Sequence, residues 1–252
     1  MIPFGVVSPS LGNAGGGSWH PSDAPSTLAY YAPGDWTLLG TAVTGWTDSS
    51  GNGRDAAQPD AGIRWALTAA DPRAGGLDAV GCDAEDGKLG IVLPTMGAAG
   101  FYCVSTYYDG TRTSFVTFSS LFGETGPDLG RRVEAIPGTD QVRGSRSNVD
   151  FAADVDVNAV TAGKVAGDDS IVLPLPLSVV RMYGRETTQT AYTIGYLEQR
   201  NNRNWVGAHR AFLLTDGTED AATVERYTGV LAHGSGIAAL LPAGHPYRGS
   251  PP

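Results

Sequence analysis

No apolar stretch in this chain runs far before a glycine, a proline or an Asp-Gly pair stops it, and that punctuation limits the fold more than any other feature. Residues 88–93 (KLGIVL) form a short apolar run closed by Pro94. Residues 101–108 (FYCVSTYY) are aromatic and β-branched and end at Asp109-Gly110, a strong turn signal. Residues 114–118 (SFVTF) resume the pattern, so the two segments read as a hairpin. Residues 171–183 hold apolar runs broken by Pro174 and Pro176, as at an edge strand or a bulge. Residues 191–197 alternate, with Tyr192, Ile194 and Tyr196 on one face, and residues 211–214 add another short strand. The 35 Gly and 16 Pro among 252 residues suit many strands joined by tight turns in one large β domain.

One segment has a different period. Within residues 220–233 (DAATVERYTGVLAH), Val224, Tyr227 and Leu231 repeat at helical spacing and make one apolar stripe. Asp220 or Thr218 can cap the start, Glu219 lies near the positive helix end, and His233-Gly234 supplies the stop, which predicts a helix over about 218–233. The expected fold is all-β, a two-sheet antiparallel sandwich over residues 28–252 with one C-terminal amphipathic helix on its flank.

Residues 1–27 are Gly-, Ser- and Pro-rich and almost uncharged, and such a segment cannot bury enough surface to fold alone. It is a docking arm or a passive leader. Its first residues carry neither a positive region nor an apolar core, so a secretory signal is not expected. No run of about 18 apolar residues exists to span a membrane. The net charge of -9 and the absence of any basic residue before Arg54 argue against wrapping nucleic acid, which needs clustered Lys and Arg. Cys82 and Cys103 do not make a disulfide framework and lie at no zinc spacing; two buried thiols are expected, with a bridge as the alternative.

Two stretches resemble a known family. Residues 45–58 (GWTDSSGNGRDAAQ) are similar to the W-x-D-x-S-G-N-G-x-x-A-x-Q signature that opens many concanavalin A-like lectin/glucanase domains of the laminin-G type, found in phage virion proteins and bacterial surface proteins. Residues 224–252, ending LPAGHPYRGSPP, resemble the helix and Pro-rich tail that close those domains, although Gly234-Ser235-Gly236-Ile237 stands where relatives carry K-W-G-L. The resemblance covers roughly residues 29–252 and implies a jelly-roll arrangement of the sandwich. On the residues themselves, Trp46 has the pattern of a core anchor, Asp48 that of a turn former, and Gly51 and Gly53 supply positive φ around Asn52. His245-Pro246-Tyr247 reads as a strap over the sandwich.

Catalysis is not expected. The glucanases of this fold carry paired acids as E-x-D-x-x-E or E-x-D-x-E, and no glutamate here has an aspartate two positions later. Asp154 and Asp156 alternate onto one strand face, where a solvated surface is the expected reading. The four histidines lie far apart, and no G-x-S-x-G or H-E-x-x-H is present. Sugar binding asks for aromatic faces beside amides and acids. Tyr107, Tyr108 and Asp109 at a strand end form one such group, and Asn202, Arg203 and Trp205 form another. No cofactor is required; a calcium ion on the oxygens of Asp83, Glu85 and Asp86 is the candidate, set against a merely solvated acidic turn.

The closing motif, a start Met without a secretory signal and the Gly-rich arm point to a structural or decoration protein of a tailed-phage virion, assembled in the host cytoplasm and displayed on a capsid or tail. Its expected partners are other virion subunits through the arm, further copies of itself in a homo-oligomer, and a host glycan if it also adheres. A free-standing carbohydrate-binding module or lectin is the alternative, and a degenerate polysaccharide hydrolase the third.

Overall fold

A computed structural model of the chain describes residues 19–82, 90–97, 100–107, 119–124, 132–135, 142–146, 149–150, 154–164, 174–183, 192–195 and 204–252. The strands are, in order, β1 (Thr27–Tyr31), β2 (Trp36–Leu39), β3 (Ala42–Trp46), β4 (Ala56–Ala57), β5 (Ala66–Asp71) and β6 (Leu77–Cys82). Next come β7 (Ile91–Leu93), β8 (Gly100–Tyr107), β9 (Ser119–Glu124), β10 (Arg132–Ala135), β11 (Val142–Arg146) and β12 (Val149–Asp150). The last are β13 (Asp154–Val157), β14 (Val160–Lys164), β15 (Leu175–Tyr183), β16 (Tyr192–Ile194) and β17 (Gly207–Thr215), followed by the helix α1 (Ala221–Gly234).

The protein is all-β with a single α-helix among the described residues, and every strand pairing is antiparallel. One layer runs β1-β17-β8-β15-β13-β14, and the other runs β2-β3-β4-β7-β16-β9-β10-β11-β12. The β5–β6 hairpin joins β3 to β17, so the two layers are halves of one curled sheet.

Alternation along the long strands explains why their sequences are apolar nearly throughout. Phe101, Cys103, Val180, Met182, Phe212 and Leu214 turn into the core between the layers, with Trp46, Trp65, Ile91, Phe122, Tyr192 and Ile194. Their neighbours Tyr102, Val104, Val179, Ala211 and Leu213 face the other way and meet Tyr227, Leu231 and Ala232 of α1. The sheet is therefore buried on both faces, and each large side chain so covered is worth about 1.5–3 kcal/mol.

Of the expected hairpin of residues 101–108 with 114–118, the turn and the second arm lie outside the described residues. Both edges of Phe101–Ser105 are occupied, one by β15 and the other by β17. An Asp-Gly turn signal acts locally, whereas these partners come from distant parts of the chain. Pro176 falls at the register shift between Leu175 and Ser178, so it marks a bulge within a strand paired on both sides further along.

Helix α1 begins at Asp220, whose carboxylate accepts the Thr223 N–H at 2.7 Å. Tyr227 and Leu231 are buried as the stripe predicts, while Val224 is only half-buried. Its end turns through Gly236 at φ 70°, with Ile237 N–H returning to the Ala232 carbonyl at 2.9 Å. Arg210 bonds the Gly234 carbonyl at 3.2 Å and the Asp78 carbonyl, fixing the helix C-terminus to β6. The His-Pro-Tyr strap lies on this helix: His233 Nε2 donates to the Tyr247 carbonyl at 2.8 Å, and Tyr247 covers Gly229.

Residues 1–18 of the expected arm lie outside the described residues. Residues 19–27 are built into the body: Trp19 packs edge-on to Tyr227 at 5.4 Å, and Ser26 and Thr27 bond the Tyr227 hydroxyl at 2.9 and 2.7 Å. Both cysteines are buried free thiols, and burial pushes the Cys103 thiol up to about 12.

The 45–58 motif acts as a clasp. Asp48 accepts the backbone N–H groups of Tyr30 (3.0 Å), Ser50 (2.9 Å) and Arg54 (3.0 Å), tying β1 to the loop. Gly51 and Gly53 take φ 83° and 68°, and Asn52 Nδ2 reaches the Thr27 and Leu28 carbonyls at 3.0 and 3.1 Å. Burial by itself would raise the Asp48 carboxyl, but the hydrogen bonds from Ser50, Tyr30 and Arg54 outweigh it and hold the pKa below the ordinary value. Asp48→Ala should lower stability by about 2–4 kcal/mol at neutral pH, since three N–H groups lose their acceptor. A carboxyl depressed in the folded state stabilises fully above its unfolded value of about 3.9 and loses that contribution as pH falls through the folded value. The gap between wild type and Asp48→Ala in urea unfolding should therefore close on acidification.

Candidate functional site

Three of the sequence-derived groups begin at one rim. β6 ends there at Cys82 and β8 at Tyr107, while β17 starts there at Gly207. The register sets Gly207 beside Cys82 and His209 beside Ser105, and Leu175 at the start of β15 pairs with Tyr107. Segments 83–89, 108–118, 165–173 and 196–203 therefore join the body at this end. Asp83, Glu85, Asp86, Tyr108, Asp109, Asn202 and Arg203 belong to those segments and lie outside the described residues. Of Tyr107, the structure describes the backbone position at the end of β8.

The rim is anchored by a buried network. Asn204 Nδ2 donates to Cys82 Sγ at 3.0 Å, and the thiol donates to the Trp205 carbonyl at 3.0 Å. Trp205 Nε1 donates to the Thr106 carbonyl at 2.7 Å, and Ala208 N–H donates to Thr106 Oγ1 at 3.0 Å. Trp205 N–H reaches the Gly195 carbonyl at 2.7 Å, so the same residue holds β16 in the opposite layer. Close approach of the strands needs glycine: a Cβ on Gly81 would run into the Gly207 carbonyl, and one on Gly207 into that of Thr106.

Trp205 corrects the sequence reading. It is fully buried among core residues, so its indole has no face to offer a sugar. A polar run entering an aromatic looks the same in sequence whether the aromatic ends an exposed loop or enters the core; here it enters the core two residues before β17.

Just inside the rim, Ser105 Oγ and His209 Nδ1 lie 2.8 Å apart, with the imidazole 4.6 Å from the Trp65 ring. Burial, aided by the nearby Arg73 charge, lowers the His209 pKa to about 3, so the ring is neutral. Both residues are fully buried, and a serine–histidine pair without an open face cannot meet a substrate.

Asp156 is a second correction. Its side chain is only 13% exposed and pairs with Arg181 at 3.2 Å, so Asp156 is not a solvated acid; of Asp154 the structure describes the backbone position in β13. Arg181 lies over the Tyr183 ring at 3.8 Å and is 3.8 Å from Glu219. Glu219, near the positive end of the helix as the sequence places it, has a buried side chain that accepts from Tyr102 Oη (3.1 Å) and Thr215 Oγ1 (3.0 Å). Both acids answer one guanidinium instead of facing each other across a groove, which gives no geometry for glycoside hydrolysis. Sequence reasoning missed Arg181 and Glu219 because their partners come from other strands and carry no motif. Among the described residues no group of three or more His, Cys, Asp or Glu gathers to hold a metal, and no helix is long and apolar enough to cross a membrane.

No protein-family model matches the chain, and no curated protein matches it in sequence. Among solved structures, it is similar to domain 4 of an extracellular GH43 arabinanase from Geobacillus stearothermophilus, solved with arabinotriose. The TM-score there is 0.45 at 13% identity, covering 79% of this chain and 96% of that one. It is also similar to Trypanosoma rangeli sialidase, with a TM-score of 0.44 at 11% identity, covering 83% of this chain and 33% of that one. At these scores neither likeness transfers an activity or a ligand.

Trp205→Ala should destabilise by about 3–5 kcal/mol in denaturant unfolding, the range for emptying a buried aromatic site. Gly81→Ala should prevent folding to the native near-UV spectrum, because the obstacle to its Cβ is backbone.

Proposed function

We propose that this protein is a non-catalytic structural protein of a phage particle surface that grips glycans through the rim where β6, β8, β15 and β17 meet their connecting segments. The observation that carries the reading is this convergence. Residues 83–86, 107–109 and 202–203 are far apart in sequence, yet they attach to one end of a sheet buried on both faces. A rigid base with variable segments at one end is the usual arrangement of binding loops. The sequences attached there contain two tyrosines, an amide, an arginine and four acids, the side-chain types that stack on and hydrogen-bond to sugars. The virion setting is supported by the closing LPAGHPYRGSPP motif and its resemblance to phage proteins. Calcium on Asp83, Glu85 and Asp86 would orient the neighbouring segments.

A glycan array probed with the full chain, with and without a chelator, tests this. Specific binding is expected, reduced about tenfold or more by Tyr108→Ala or Asn202→Ala, and reduced by chelation where calcium takes part. Absence of binding to every glycan overturns the adhesive role. Release of reducing sugar, abolished by Asp156→Asn, would overturn the non-catalytic one.

A further inference from the structure

We propose that the β2–β3 hairpin is the contact through which two copies of this chain pair, edge to edge about a two-fold axis. β2 bonds β3 along one edge, and among the described residues no register pairs a strand with the other. Residues 37–41 are all exposed, Leu38 by 39% and Leu39 by 68%. Neighbouring strand residues point to opposite faces, so exposure of both leucines means the tip projects with solvent on either side. It is held firmly at its base. Trp36 packs edge-on to Trp46 at 5.7 Å, Val43 N–H donates to the Trp65 carbonyl at 2.9 Å, and Leu67 N–H donates to the Thr41 carbonyl at 2.8 Å.

Edges that stay free usually carry a charge or a proline that blocks pairing. Residues 36–41 (WTLLGT) carry neither. A chain of net charge -9 repels its own copies, so an edge without acids is where self-association meets least repulsion. Antiparallel pairing centred on Leu38 sets Leu39 opposite Thr37 of the second copy, Trp36 opposite Gly40 and Asp35 opposite Thr41, so no carboxylate meets another. A charged partner would find nothing to complement it on this strand, whereas an identical uncharged edge fits.

The consequence reaches the rim. Successive register partners run Leu39, Ala42, Ala66, Gly81 and Ala208 across β2, β3, β5, β6 and β17. Four strand spacings of about 4.8 Å place the hairpin tip roughly 19 Å from the rim, at the same end of the sheet. Antiparallel pairing turns the second copy end for end, so the two rims would face opposite ends of the dimer, each copy offering its own glycan site. This last step rests on the glycan reading; the pairing itself does not.

Sedimentation equilibrium of the full chain up to about 100 µM tests the pairing independently of any sugar. The expected result is twice the monomer mass, with Leu38→Lys/Leu39→Lys raising the dissociation constant by about tenfold or more. That variant should keep its circular dichroism and thermal midpoint as a monomer, because both side chains stand in solvent. Leu39→Gln provides a milder second variant, expected to weaken pairing in the same direction. A wild type that stays monomeric throughout, or variants that dimerise as it does, overturns the proposal.

Discussion

The structure depends on burying β8, β15 and β17 on both faces. Most antiparallel sheets cover one face and leave the other wet. Here the inward set of Phe101, Cys103, Val180, Phe212 and Leu214 closes the space between the layers, and the outward set of Tyr102, Val104, Val179 and Leu213 closes against α1. Neither set is sufficient without the other, because strands this apolar would otherwise present a large hydrophobic surface to water. The single helix is therefore a cover for the sheet.

Polar groups lock that arrangement at its margins. Asp48 collects backbone donors from β1 and its own loop, Arg210 fastens the helix end to β6, and Tyr227 bonds Ser26 and Thr27 from inside the helix. The Arg181 group does the same at the helix start, where Glu219 and Asp156 neutralise a guanidinium stacked on Tyr183. Each lies where the apolar layers stop, and each satisfies donors or acceptors that burial would otherwise strand.

A base built this way leaves its ends free to vary. The strands that meet at the rim are held by Cys82, Asn204, Trp205 and Thr106, whose side chains are committed to bonds with one another and with the local backbone. In the proposed function, recognition falls to the connecting segments, with the sheet fixing where those segments start. The β2–β3 hairpin offers a different opportunity, since its leucines have no layer to pack against.

The sequence alone determined the features that rest on local chemistry. Short runs stopped by Gly and Pro specify strands, the Val224-Tyr227-Leu231 spacing specifies one helix capped at Asp220, and the SSGNG turn requires positive φ at Gly51 and Gly53. Those outcomes follow from a few neighbouring residues, so they are legible without a partner. The tertiary structure decided which strands pair: β8 lies between β15 and β17, strands far from it in sequence. It also decided that Trp205 is core, that Asp156 and Glu219 are paired to Arg181, and that distant segments share one rim. Those facts depend on contacts between residues up to more than a hundred positions apart, and neither composition nor periodicity records such contacts.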